Sequence, residues 1–176
     1  MFYEIDRNQM PSLLTVLKSA FDRDEIRSDE EIYSFYDSGK MKAYGNYEND
    51  TLTGGCFGWS VNDLFFVENL AIRKDLRDKG YGGKILEELK KRYGSMLLEV
   101  QPPEDPMTRK RVVFYLRHGF HLSNEEYILP PLQKNGSPLA YNLMSYHFSV
   151  NSETPERIYR KIYQKNTSVK ELKKMM

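Results

Sequence analysis

Between Leu64 and Tyr93 the chain passes from "LFFVENLAI" through "RKDLRDKGYGGK" into "ILEELKKRY", and each segment demands a different backbone. The first is a nearly unbroken apolar run, which reads as a strand covered on both faces. In the last, Ile85, Leu89 and Tyr93 continue a stripe begun by Tyr81, with Leu86 beside it, at the spacing of an amphipathic helix. Gly80, Gly82 and Gly83 stand where that helix begins. Glycine there costs roughly 1 kcal/mol relative to alanine, so something must offset the loss. A helix N-terminus exposes unpaired N–H groups and a partial positive charge, and glycine lets the main chain approach a phosphate closely. A bound anion is the natural offset.

The surrounding pattern places this element in a larger sheet. Phe2 to Ile5 is a short strand candidate, and Leu13, Leu14, Leu17 and Phe21 mark a helix from Gln9 to Phe21. "SDEE" offers a capping box, Ser28 with Glu31, opening a second helix toward Tyr36. Two antiparallel strands follow around a turn at Asn49 and Asp50, and another turn at Asn62 and Asp63 leads into the apolar strand. After the glycine-started helix, closed by Gly94, "SMLLEV" supplies a buried strand. Strand, helix, strand in that order predicts a right-handed crossover with parallel strands. Asp105 caps a further helix with Pro106 at its first position and Gly119 past its end. "GFHL" and "AYNLMSYHF" read as late strands around a proline-bearing loop, and a basic amphipathic helix follows Pro155. The expectation is a mixed α/β fold, a mixed central sheet flanked by helices on both sides.

Composition narrows the function. With 176 residues, 40% of them hydrophobic, the chain can bury a core without staples, and a net charge of +1 argues against nucleic-acid binding through bulk electrostatics. The single cysteine, Cys56, excludes an internal disulfide, and His118, His121 and His147 lack metal-ligand spacing, so no metal is expected. No apolar run approaches a membrane span and the N-terminus lacks signal-peptide features, so the expected location is the cytoplasm, without a membrane partner.

Two phosphate-binding patterns fail against the glycine stretch. The nucleotide P-loop requires glycine at position 78, which is Asp78, and the dinucleotide fingerprint requires it at 85, which is Ile85. What fits is R-x-x-G-x-G, as Arg77, Gly80 and Gly82, and farther on "FYLRHGF" from Phe114 to Phe120 fits a helix-ending Y-x-x-x-G-F element. On these two matches and the order of elements around them, the chain resembles the acetyltransferases of the GCN5-related (GNAT) family. The resemblance implies the family's acyl-CoA N-acyltransferase fold, with a domain over 1–150 and a helical extension of it over 151–176.

The resemblance also implies roles. Acetyl-CoA is the expected acetyl donor. Its diphosphate would be held by the main chain of Arg77, Asp78, Lys79 and Gly80 and of Tyr81, Gly82 and Gly83, with Lys84 close by. Its pantetheine arm would lie along Leu70, Ala71 and Ile72, with the N–H near Leu70 polarising the thioester oxygen. Glu68, just before that groove, is either the base that receives the amine proton, a structural hydrogen-bond acceptor, or an anion that orients the substrate. Burial there would raise its pKa. Tyr115 is the candidate acid for the departing thiolate, or alternatively a core aromatic. Many relatives carry asparagine and alanine where this chain has Thr108 and Arg111, so Thr108 is the expected substitute contact to the cofactor. Arg109, Lys110 and Arg111 read as a solvated helix face. Cys56 reads as a buried inert thiol, leaving direct attack by the amine without an acetyl-enzyme.

The expected acceptor is the primary amine of a small molecule, ahead of a protein N-terminus or lysine. The acidic "DRDEIRSDEE" segment would attract such a cation, and Tyr127 and Tyr141 are candidates for another wall. The chain is expected to act as a monomer or homodimer. Two readings of other kinds stand beside this one: an acyl-CoA-binding module without turnover, and a generic phosphate- or nucleotide-binding domain.

Overall fold

The computed structural model describes all 176 residues, which form two compact units, Met1–Gly94 and Ser95–Met176. In the first unit β1 (Phe2–Glu4), β2 (Lys42–Glu48), β3 (Thr51–Val61) and β4 (Leu64–Ile72) form an antiparallel sheet in that order. Helices α1 (Met10–Lys18), α2 (Asp29–Asp37) and α3 (Tyr81–Tyr93) complete it. The turns fall where short polar residues permit a left-handed backbone: Asn49 and Asp50 have φ of 47° and 61°, and Asn62 has 54°.

Long strands with alternating sides let helices cover both faces. A Cβ added at Gly55 would meet Leu13 of α1, whereas one at Gly58 would meet Phe65, whose ring stacks on Tyr93 of α3 at 4.0 Å. The α3 side continues through Tyr44, fully buried, whose hydroxyl lies 2.5 Å from that of Tyr93. Ser28 does cap α2, accepting the Glu31 N–H at 3.3 Å, but the reciprocal half of the box does not form. The Glu31 carboxylate turns toward Arg27 instead, 3.8 Å away.

The second unit is built around β8 (Leu139–Tyr146). On it pair β5 (Met96–Val100), β6 (His121–Leu122) and β7 (Tyr127–Leu129), all antiparallel. Between β5 and β6 runs α4 (Pro106–Arg117), and α5 (Thr154–Lys161) and the short α6 (Val169–Lys173) follow β8. Sequence periodicity misses β7, because three residues carry no period and two prolines follow them. Its middle residue, Ile128, is fixed by a side chain: the Tyr159 hydroxyl of α5 donates to the Ile128 carbonyl at 2.8 Å and accepts its N–H at 3.3 Å. The strand expected from "GFHL" shrinks to His121 and Leu122, since Gly119 has φ of 79° and Phe120 N–H still bonds back to the Tyr115 carbonyl.

Two glycines can be tested separately. At Gly55 an added Cβ would strike the Tyr44 carbonyl oxygen and come within 2.7 Å of Leu13 Cδ1. Gly55→Ala should therefore destabilise by about 2 kcal/mol in urea unfolding, through forced strand separation. Gly80 has φ of 84° with nothing within 4 Å of an added Cβ. Gly80→Ala should cost about 1 kcal/mol from backbone strain alone, and Gly80→Asn clearly less, because asparagine tolerates the left-handed region.

Candidate functional site

The first unit carries one continuous run of candidate residues, from the middle of β4 to the first turn of α3. Along β4, Leu70 pairs with Cys56, Ala71 with Gly55 and Ile72 with Gly54, and the Arg73 N–H reaches the Thr53 carbonyl at 2.9 Å. Ala71 is buried, while Leu70 and Ile72 are half-buried. Two residues earlier the register breaks: Phe57 faces Asn69, Gly58 faces Val67, and Glu68 has no partner on β3. Glu68 is thus the extra residue of a β-bulge, a feature that twists a strand and re-aims a side chain. The sequence signal was faint but real, two adjacent polar residues inside an apolar run.

The chain from Arg73 to Gly80 turns tightly. Arg73 holds Asp75 through two hydrogen bonds of 3.1 and 2.8 Å, keeping that carboxyl below its ordinary range. Arg77 folds back so that its Nε donates to the Ile72 carbonyl at 3.3 Å, and Asp78 takes φ of 62°. Gly80 is the N-cap of α3, with no side chain capping the helix and no acidic residue in its first turn. The first helical bond runs from Lys84 N–H to the Gly80 carbonyl at 3.2 Å. The N–H groups of Tyr81, Gly82 and Gly83 therefore have no intrahelical acceptor. Only Gly80 of the three glycines needs a left-handed backbone; Gly82 and Gly83 sit inside the helix, where their contribution is the absence of a side chain over those donors. By contrast, α2 covers its own N-terminus with Asp29, Glu30 and Glu31.

Two side chains of this turn look elsewhere. The Tyr81 hydroxyl donates to Glu48, and Lys84 Nζ lies 4.9 Å from the centre of the Tyr81 ring. Both line a cavity of about 370 Å³ next to the β2–β3 turn, with Tyr3, Tyr47 and Asp50. Their main chain belongs to the start of α3, their side chains to the hairpin.

Glu68 is buried, and both carboxylate oxygens are engaged. Arg27 Nε donates to Oε1 at 2.7 Å and the Trp59 indole to Oε2 at 2.5 Å. The next residue, Asn69, donates to the Glu25 carbonyl at 3.2 Å. The loop between α1 and α2 is thereby clamped to the bulge, and Asp22 and Glu25 brace it through a capping box around a short 3-10 turn. Neither Arg27 nor Trp59 stood out in the sequence: one lies in a mixed charge run, the other in an apolar strand.

The remaining candidates belong to the second unit, on α4. Thr108 and Tyr115 are seven residues apart, two helical turns, so they share a face, and both are buried together with Val112. The Thr108 hydroxyl serves the helix start, donating to the Asp105 carbonyl and accepting the Asp105 N–H, each at 3.1 Å. The Tyr115 ring meets Phe114 and Phe120 edge to face at 5.1 and 5.6 Å. Of the basic cluster, Arg109 and Lys110 are exposed, whereas Arg111 is half-buried and donates to Gln101 Oε1 at 3.1 Å. Tyr127 and Tyr163 both donate to the Glu99 carboxylate, and burial pushes the Tyr127 phenol well above its ordinary value. Cys56 is fully buried, and burial alone raises its thiol far above the ordinary range, which leaves it protonated and unreactive. No helix is long and apolar enough to cross a membrane.

Comparison with known proteins agrees with this architecture. Residues 40–122 match the family model for the acetyltransferase (GNAT) domain. A protein of Bacillus subtilis described as "Putative acetyltransferase YjbC" is 43% identical over 61 residues; the match spans 34% of this chain and about a third of that protein's length, 32%. A solved structure from Bacteroides thetaiotaomicron, described as a "Putative acetyltransferase from GNAT family", superposes with a TM-score of 0.83 at 25% identity, covering 93% of this chain and 98% of that one. A GNAT family acetyltransferase from Elizabethkingia anophelis, solved with acetyl-CoA bound, shares the fold at a TM-score of 0.63 and 15% identity, covering 84% of this chain and 97% of that one. Residues 40–122 thus match a GNAT acetyltransferase domain, and the chain as a whole shares the fold of solved GNAT acetyltransferases.

Proposed function

We propose that this chain is an N-acetyltransferase that moves the acetyl group of acetyl-CoA to the primary amine of a small molecule by direct attack. The observation that carries the reading is the start of α3: three N–H groups without an intrahelical acceptor, no side-chain cap, no acid in the first turn, and glycine at two of the three donor positions. A helix end of this kind suits a diphosphate, so the residues present fit the donor's charged half. The main chain from Arg77 to Gly83 would hold it, with the cations Arg77, Lys79 and Lys84 adding charge. Backbone along Leu70, Ala71 and Ile72 would align the pantetheine arm, and the N–H near Leu70 would receive the charge developing on the thioester oxygen. Acetyl-CoA supplies an activated acyl carbon and a thiolate leaving group.

The roles of the other residues follow from their surroundings. Glu68, with both oxygens already accepting, fits a fixed anion that orients the incoming ammonium better than it fits a free proton acceptor. The amine's proton then leaves through solvent. As the new C–N bond forms and the C–S bond breaks, Tyr115 gives its phenolic proton to the sulfur and regains one from solvent, which receives the second proton lost by the acylated nitrogen. Thr108, committed to the α4 capping box, supports Tyr115 through the start of its helix instead of contacting the donor directly. The lone buried cysteine takes no part, in keeping with work in the reducing cytoplasm.

Two variants test the reading. Gly82→Glu places a carboxylate over the α3 donors while improving helix propensity, so acetyl-CoA binding, measured calorimetrically, should vanish with the melting temperature preserved. Unchanged affinity would defeat the assignment. Tyr115→Phe should lower kcat for thiol release by about 100-fold, the range of general acid catalysis, with little change in acetyl-CoA affinity. Tight CoA binding without turnover across a panel of polyamines, amino acids and short peptides would favour a non-catalytic module.

A further inference from the structure

Arg27 is a buried charge that this account of acetyl transfer leaves without a task. It is 4% exposed and belongs to no helix or strand, since it precedes the Ser28 cap of α2. Its guanidinium carbon lies 5.0 Å from the centre of the Phe35 ring and 5.3 Å from that of Trp59, two rings that meet edge to face. Aromatic faces of this kind stabilise a cation removed from water, and a planar guanidinium uses them better than an ammonium. The same group donates to Glu68, whose side chain is 2% exposed. Buried ion pairs of this sort contribute little to stability over an apolar replacement, so stability alone does not account for one at the bulge.

We propose that Arg27 is the positioning residue of the acceptor side: it holds the Glu68 carboxylate in one direction on the β4 bulge and supplies its countercharge, so that the incoming amine meets a carboxylate of fixed orientation. The inference rests on the acetyl-transfer reading for its consequence in turnover, but its first half concerns only groups within this unit. Around the pair, Glu31 from α2 faces Arg27 at 3.8 Å. Glu25, on the preceding turn, directs its carboxylate to the Asp22 N–H and its carbonyl to Asn69. Trp59 of β3 donates to Glu68, while α1 and α3 bring buried apolar residues, Leu13, Leu17, Ile85 and Leu89, to β3 and β4. Arg27 is therefore the cation in direct contact with Glu68, and removing it leaves a buried carboxylate on an indole N–H. Desolvation then disfavours the charged form, so proton uptake moves to higher pH.

The chain contains one tryptophan, Trp59, and it is hydrogen-bonded to this carboxylate. Its emission therefore reports the state of Glu68 without reference to any substrate. Relative to the parent, Arg27→Gln should add a single emission transition between about pH 5 and pH 9 as the unpaired carboxylate takes up a proton. The double variant Arg27→Gln with Glu68→Gln should lose that transition, which assigns it to Glu68. With acetyl-CoA and an amine that the parent acetylates, kcat of Arg27→Gln should fall about tenfold or more below the transition and recover partly above it, with acetyl-CoA affinity unchanged. Arg27→Lys, which keeps the charge but not the planar fork, should add no emission transition and show a kcat reduced at every pH.

An emission titration of folded Arg27→Gln that matches the parent's overturns the proposal. If that variant does not fold, Arg27→Lys decides: a kcat equal to that of the parent overturns it. A parent that acetylates no amine in the panel defeats the acetyl-transfer reading instead, and the emission titration still decides whether Arg27 governs the charge of Glu68.

Discussion

The register of β4 against β3 is the constraint on which the first unit's chemistry rests. Up to Val67 the two strands pair residue for residue; at Glu68 one residue is left over, and from Asn69 to Ile72 pairing resumes one step out of phase. A single unpaired residue thus separates a purely structural half-strand from a half that leads into the glycine turn and the open end of α3. Close contact enforces the phase. A side chain at Gly54, Gly55 or Gly58 would collide with neighbouring backbone, so β3 can approach its partners only with glycine at those positions. Every element of the candidate site in this unit inherits its place from that pairing.

Charge is distributed along the same strand with a clear division. At the bulge a carboxylate is buried, and it is matched by a guanidinium, an indole and two aromatic faces, so nothing polar is left without a partner among buried side chains. At the strand's end the opposite arrangement holds: the half-buried start of α3 has main-chain donors with no intrahelical acceptor and no side-chain cap. Buried polar groups that are satisfied hold a shape, whereas uncapped donors held in a fixed array select a ligand. The first arrangement stiffens the bulge; the second is the array on which the proposed diphosphate site rests.

Much of this was legible in the residues. The apolar run over Leu64 to Ile72, the stripe through Ile85 and Leu89, and the Asp105–Pro106 helix start all carry strong local signals and became β4, α3 and α4. The glycine stretch does open α3, although the structure assigns the special dihedral to Gly80 alone and leaves Gly82 and Gly83 inside the helix. What escaped reading depends on partners distant in sequence. Arg27 meets Glu68 across 41 positions, and Ile128 finds the Tyr159 hydroxyl across 31, so neither the clamp on the bulge nor β7 has a local signature. Glu31 shows the same limit in reverse: a spacing that predicts a capping box lost its side chain to a competing guanidinium.

Cys56 has a practical consequence at the bench. Because its sulfur is sealed inside the sheet opposite Leu70, aromatic disulfide reagents find no protein mercaptan to cleave them while the chain is native. In a colorimetric assay of the proposed transfer the absorbance then counts only coenzyme sulfhydryl set free, and a delayed extra equivalent of colour marks denaturation of the chain.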